Sequence, residues 1–166
     1  MQAILTRRSI RKYTGQAVPE DVVEQLLRAA MAAPSARNEQ PWQFVVVRDR
    51  RQLEAIAGAS PYAGMTRGAQ VAVVICADLT RETSPGYFSQ DCSAATENLL
   101  IAANALGLGA VWLGFYPRDE RIAALKQILG TPDTVIPFAV VPVGYPAENP
   151  GPADRFDRSR IHLDRW

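Results

Sequence analysis

Two short segments carry residue types from which chemistry could be built. Arg7-Arg8-Ser9-Ile10-Arg11 gathers three guanidinium groups and a hydroxyl. Pro34-Ser35-Ala36-Arg37-Asn38-Glu39-Gln40-Pro41-Trp42 is a polar stretch bounded by prolines and followed by an apolar run. A guanidinium presents a planar fork of donors that matches a phosphate at two points, which a lysine ammonium cannot do. A loop closed by prolines and filled with short polar side chains can turn donors toward a flat heterocycle. Each segment alone has an ordinary explanation, a solvated face for the first and a turn for the second. Together they supply a phosphate grip and a ring cradle.

The elements that must position these segments can be read from patterning. Ile4 and Leu5 precede the arginines, consistent with a short helix whose end delivers Arg7 to Arg11. Pro19 opens a strong helix with Val22, Val23, Leu26, Leu27 and Ala30 at helical spacing, and Glu20 and Asp21 in its first turn favour the dipole. Pro34 stops it. Gln43 to Val47 predicts a strand covered on both faces, and Gln70 to Cys76 a second buried strand. Between them, Arg51 to Ala57 reads as a short helix. A loop from Thr80 to Gln90 leads to a helix capped by Asp91 or Ser93 that runs to about Leu106 and ends at Gly107. Ala110 to Gly114 predicts a third strand, Asp119 to Leu129 a helix closed by Gly130, and Val135 to Val143 a fourth strand. Pro137 and Pro142 suggest that this last strand is an edge or carries a bulge. The Asp91 to Leu106 helix is apolar on most sides and must be buried on most sides. A central position within one chain or a dimer interface would satisfy it equally, with Ala94, Ala95, Ala102 and Ala105 permitting close approach.

Composition and absent motifs narrow the function. The 166 residues carry a formal net charge of +1, which suggests neither disorder nor electrostatic capture of nucleic acid. The length predicts one domain over 1–166, with 147–166 as an extended, polar C-terminal tail. No apolar run approaches the ~20 residues of a membrane span, and "MQAILTRRSIRKY" lacks a cleavable signal pattern, so a cytoplasmic protein is expected. Cys76 and Cys92 make no Cys-x-x-Cys pair and read as buried reduced thiols. His162 is the only histidine and lies in the tail, which argues against Ser-His or Cys-His hydrolysis and against metal catalysis; no metal site is expected. "GLGAVWLG" is not a dinucleotide fingerprint, because its glycines close a helix and enter a strand rather than the reverse. The remaining possibility is chemistry supplied by a cofactor, and a flavin mononucleotide fits the two opening segments.

Three blocks in order resemble one family. "RRSIRKYTGQAVPEDVVEQLLRAAMAAPSARNEQPWQFVVV" looks like the opening of the FMN-dependent nitroreductases, "QDCSAATENLLIAANALGLGAVWLGFYP" like their central helix and following strand, and "VVPVGYP" with Arg155 like their last strand and tail. The resemblance implies an α+β fold of three layers, α-β-α, with a central mixed sheet of four to five strands flanked by helices. It implies an intertwined homodimer with flavin at the interface and tails reaching around the partner. By the same resemblance Arg7, Arg8, Ser9 and Arg155 hold the phosphate and Arg11 points at the pyrimidine edge, where a positive charge stabilises the reduced ring. Pro34, Ser35, Ala36 and Asn38 wrap the isoalloxazine or ribityl chain. Trp112, Leu113 and Gly114 end a strand whose backbone amide donates to flavin N5.

The implied activity is an oxidoreductase in which NAD(P)H passes hydride to flavin N5 and then leaves. A nitroaromatic, quinone or similar oxidised acceptor follows at the same face, in ping-pong order. No side chain of the protein is expected to act as acid, base or nucleophile. Tyr62, Tyr87 and Phe88 are candidates to line the substrate pocket. The chain is shorter than many members over the pocket, which leaves the substrate class open. Alternatives on the same scaffold are enone reduction, dehalogenation, flavin breakdown, or flavin binding without turnover; a cofactor-free structural dimer stands outside it. NADH or NADPH preference is not legible.

Overall fold

The computed structural model describes residues 1–166. Its elements in chain order are α1 Gln2–Thr6, α2 Glu20–Met31, β1 Trp42–Val47, α3 Arg50–Gly58, β2 Val71–Asp78, α4 Phe88–Ala105, β3 Gly109–Ala110, β4 Leu113–Gly114, α5 Asp119–Leu129 and β5 Val135–Gly144. The strands form a sheet in the order β1-β2-β5-β3, with β4 also paired to β5. Every strand pairing is antiparallel, and parallel character is confined to an isolated bridge between Ser9 and Ala110.

Period-two alternation along β2 divides the interior. Val71, Val73, Ile75 and Ala77 pack on one face against α2 and α4, through Val23, Leu26, Cys92, Ala95 and Leu99. Ala72, Val74 and Cys76 pack on the other face against α3 and α5, through Leu53, Ile56 and Leu125. The result is the three-layer α-β-α arrangement of the α+β class. Helix α5 stops as its sequence suggests, with Gly130 at φ 65, ψ 35 in the left-handed region where a Cβ is unfavourable.

Two strand expectations need correction and a third is narrowed. β1 is the edge of the sheet and is covered unevenly: Phe44 and Val45 pack in part against the two opposite cores, while Gln43 and Val46 are exposed. β5, read as an edge or a bulged strand because of its prolines, is the second of these: it lies between β2 and the β3/β4 pair, with a register shift opposite Ile75 and Cys76. Pro137 and Pro142 are therefore carried by a central, bulged strand rather than a free edge. The expected strand from Ala110 to Gly114 is two short pieces, broken at Val111 and Trp112.

Helix α4 begins at Phe88, ahead of the expected cap. Glu82 accepts a hydrogen bond from the Phe88 backbone N–H at 3.0 Å, so a carboxylate from the preceding turn caps the helix start. Its sheet-facing stripe of Phe88, Cys92, Ala95, Leu99 and Ala103 is buried, and Asn98 Nδ2 donates to the Ala29 carbonyl of α2 at 3.1 Å. Ala94, Ile101 and Ala102 are only partly covered within one chain, and Ala105 is exposed. Cys76 and Cys92 are both free and buried; burial pushes the Cys76 thiol up to about 12 and the Cys92 thiol upward as well.

Candidate functional site

The arginine arm is laid along one end of the sheet. Ile10, buried, donates its backbone N–H to the Ala110 carbonyl at 3.0 Å, and Thr14 donates to Tyr145 at 2.8 Å. The approach is close: a Cβ built on Gly109 would lie 2.6 Å from Ile10 Cγ2, so only glycine admits the arm here. Tyr13 Oη donates to the Ile10 carbonyl at 2.7 Å, and its burial raises its phenol well above the usual range. The Glu148 carboxylate clamps the arm from the other side, accepting from the Arg11 and Lys12 backbone amides at 2.6 and 3.2 Å.

This anchoring brings Arg8, Ser9, Arg11, Lys12 and Arg155 around a cavity of about 470 Å³, with Glu148 as its only acid. Lys12 and Glu148 were not singled out from the sequence; Lys12 extends the basic run, whereas nothing local marked Glu148. Arg7 does not line this cavity. Its Nε lies 3.2 Å from Glu97 Oε1 on α4, tying the end of α1 to that helix.

A second cavity of about 530 Å³ adjoins the first and shares Arg11 with it. Trp112, Leu113 and Gly114 line it, with Tyr62 across from them and Arg121 from the first turn of α5. A Cβ on Gly114 would meet no protein atom nearer than 3.9 Å, so the space beside this residue belongs to the cavity. Arg121 was missed in the sequence, where it reads as an ordinary helix-surface arginine.

The Pro34 to Trp42 loop lies elsewhere. Pro34, Ser35 and Ala36 line a separate cavity of about 380 Å³ together with Tyr87, Gln90 and Asp91, and none of its residues lines the other two. The loop is held in an uncommon shape, with Arg37, Asn38 and Gln40 at φ 49, 58 and 49. Ser35 Oγ accepts from the Gln40 N–H at 3.0 Å and Asn38 Oδ1 accepts from Gln40 Nε2 at 3.1 Å. Asp91, expected as a helix cap, instead lies one turn inside α4, only 4% exposed, and its Oδ1 accepts from the Ala36 N–H at 2.9 Å. Its Oδ2 is buried without a partner. At the far end of the loop the Thr83 hydroxyl donates to Glu39, and this bond holds the Glu39 carboxyl below its ordinary value.

The three aromatic residues expected to line one pocket are dispersed. Tyr62 faces the Trp112–Gly114 cavity and Tyr87 the loop cavity. Phe88 lines neither: it is 8% exposed, in edge-to-face contact with Tyr116 at 5.2 Å between centroids, because the early start of α4 turns it into the core. Within one chain, then, Arg8, Ser9, Arg11 and Arg155 meet Trp112–Gly114 through Arg11, while Pro34, Ser35, Ala36 and Tyr87 form a separate group.

Comparison with known proteins covers the same elements. The model of the nitroreductase family matches residues 4–61 and 59–145. A protein of Methanothermobacter thermautotrophicus, provisionally named NADH dehydrogenase/NAD(P)H nitroreductase, is 51% identical over 100% of this chain and 87% of its own. A solved structure of a provisionally named nitroreductase from Desulfovibrio desulfuricans, in complex with FMN, is 36% identical with a TM-score of 0.85, covering 99% of this chain and 95% of that one. The FMN-dependent nitroreductase of Clostridium difficile R20291 is 26% identical with a TM-score of 0.93 over the full length of both chains. This chain belongs to the nitroreductase family.

Proposed function

We propose that the chain is an FMN-dependent NAD(P)H oxidoreductase of the nitroreductase type, acting as a cytoplasmic homodimer on a nitroaromatic, quinone or similar oxidised acceptor. The observation that carries the cofactor is the pair of adjoining cavities that share Arg11. A cation-lined end suits a phosphate and a Trp112–Gly114 end suits a ring, in the order in which FMN carries them. The residues fit the group. Four cations surround a cavity whose one carboxylate is already engaged by backbone amides, and Gly114 leaves open the space a ring would use. When bound, FMN supplies the two-electron relay between NAD(P)H and the acceptor.

The protein's own part is binding, orientation and electrostatics. Arg8, Ser9 and Arg155, with Lys12, would hold the phosphate through charge-assisted hydrogen bonds of about 1.5–3 kcal/mol each where desolvated. Arg7, which lies outside this cavity, reinforces the arm from behind through its ion pair with Glu97. Arg11 would lie against the pyrimidine edge, and the Gly114 amide would face the reacting nitrogen. Pro34, Ser35, Ala36 and Asn38 would cover the ring from a second copy of the chain. Their isolation from the other two cavities within one chain supports that arrangement, as do the partly covered alanine face of α4 and a tail in which Phe156, Leu163 and Trp166 are left exposed. Tyr62 and the partner's Tyr87 would then border the open side where donor and acceptor alternate.

The test is kinetic. FMN-loaded protein should oxidise NAD(P)H faster in the presence of a quinone or nitrofuran, and double-reciprocal plots at several acceptor concentrations should be parallel. Intersecting lines would contradict the shared-site order, and no NAD(P)H oxidation with any acceptor would contradict the enzyme.

A further inference from the structure

The cavity at Trp112–Gly114 receives two cations and no carboxylate. Arg11 enters from the N-terminal arm and Arg121 from α5, and neither guanidinium is paired with an acid of the chain. Arg121 is nonetheless fixed in place. Its Nη1 donates to the Gly114 carbonyl at 3.3 Å, and its guanidinium carbon stands 5.5 Å from the centroid of the Tyr62 ring. Its Nε is buried with no partner. One hydrogen bond to a neutral carbonyl and one cation–π contact orient the guanidinium without neutralising it. In a partly enclosed cavity that charge is screened less than at an open surface.

We propose that Arg121 is a positioning residue of the cofactor site, which sets the backbone of Gly114 and biases the bound ring toward its reduced, negatively charged state. The proposal rests on the FMN reading above. Hydride transfer brings two electrons and one proton to the ring and releases NAD(P)⁺, so the ring gains one unit of negative charge. A cation already in place stabilises that charge without reorganising when it arrives. The effect is differential: an interaction equal in both redox states would tighten binding and leave the potential where it was.

The experiment compares wild type, Arg121→Gln and Arg121→Lys by two readouts, the dissociation constant for oxidised FMN and the two-electron midpoint potential against a reference dye. Arg121→Gln should lower the ratio of reduced to oxidised affinity about tenfold, a shift of about 30 mV to more negative potential, with oxidised FMN still bound. Arg121→Lys, which keeps the charge, should retain most of the wild-type potential. An unmoved potential in Arg121→Gln, or equal shifts in both variants, would overturn the proposal while leaving the FMN reading intact. Wild-type protein that binds no FMN would overturn the cofactor reading, and this proposal with it.

Discussion

Around Arg8, Ser9 and Arg155 the chain collects four cations against a single carboxylate, Glu148, which accepts from the Arg11 and Lys12 amides. Around Pro34 to Gln40 it collects polar groups that bond mainly to one another: Ser35, Asn38, Glu39 and Asp91 are each engaged, with one carboxylate oxygen of Glu39 and one of Asp91 left buried without a partner. The first region carries an excess of positive charge that suits an anionic ligand. The second is tied together largely within the chain, and the left-handed backbone at three non-glycine residues is held by that internal network. In the proposed site the two would contribute differently: excess positive charge for affinity, and a rigid surface for orientation.

Removing charge from one region and hydrogen bonds from the other should separate their effects. The largest effect is expected from Arg8→Ala combined with Arg155→Ala. FMN affinity should fall at least a hundredfold, about 2.7 kcal/mol, while riboflavin affinity stays unchanged, as read by flavin fluorescence quenching. Equal losses for both ligands would remove the phosphate assignment. Asp91→Ala should act on the other region, lowering FMN and riboflavin affinity alike by about tenfold and reducing Tm, because the Ala36 amide loses its buried acceptor. Asp91→Asn retains an oxygen acceptor and should recover most of both; if it matched alanine, the tether would not be the cause.

Salt sharpens the same division. Raising ionic strength from ~0.05 to ~0.5 M should weaken FMN severalfold and riboflavin hardly at all. The smallest effect concerns Glu39. Its carboxyl is held below its ordinary value by the Thr83 hydroxyl, so the stabilisation is present above the unfolded carboxylate pKa of about 4.3 and is lost as pH falls through the depressed folded value. The Tm difference between wild type and Glu39→Gln should therefore be constant near neutrality and close on acidification below about pH 4. A difference that widened in acid would contradict the sign.

Helices were the most legible part of the sequence. α2 and α5 announce themselves by apolar spacing, acidic first turns and, for α5, a glycine that stops it. Strand environment was less legible, because pairing partners are distant in sequence. Gln43 to Val47 reads as buried on both faces from composition alone, yet it forms the edge strand and Gln43 and Val46 are exposed. Pro137 and Pro142 allow an edge or a bulge, and only pairing with distant β2 and β3 decides for a bulged central strand.

Of the candidate site, residue types in the arm and the loop pointed to phosphate and ring, since those preferences are local. Phe88 was misplaced because the Glu82 cap starts α4 earlier than Pro85 and Gly86 suggest. Arg121 and Glu148 reach the cavities only through tertiary packing, which no short motif encodes. That Pro34 to Ala36 stand apart from Arg8 to Arg11 in one chain is likewise a property of the folded surface.

The central claim is that one flavin site is assembled from the arm of one copy and the loop of another. Its most direct measurement uses two differently tagged chains, one carrying Arg8→Ala with Arg155→Ala and the other Asp91→Ala with Asn38→Ala. Each homodimer should bind FMN poorly, and the purified mixed dimer should bind close to one FMN per dimer with wild-type affinity, because one of its two sites joins an intact arm to the other chain's intact loop. If arm and loop of the same chain met, every site in the mixed dimer would carry a defect, and the absence of any tight FMN binding would contradict the account.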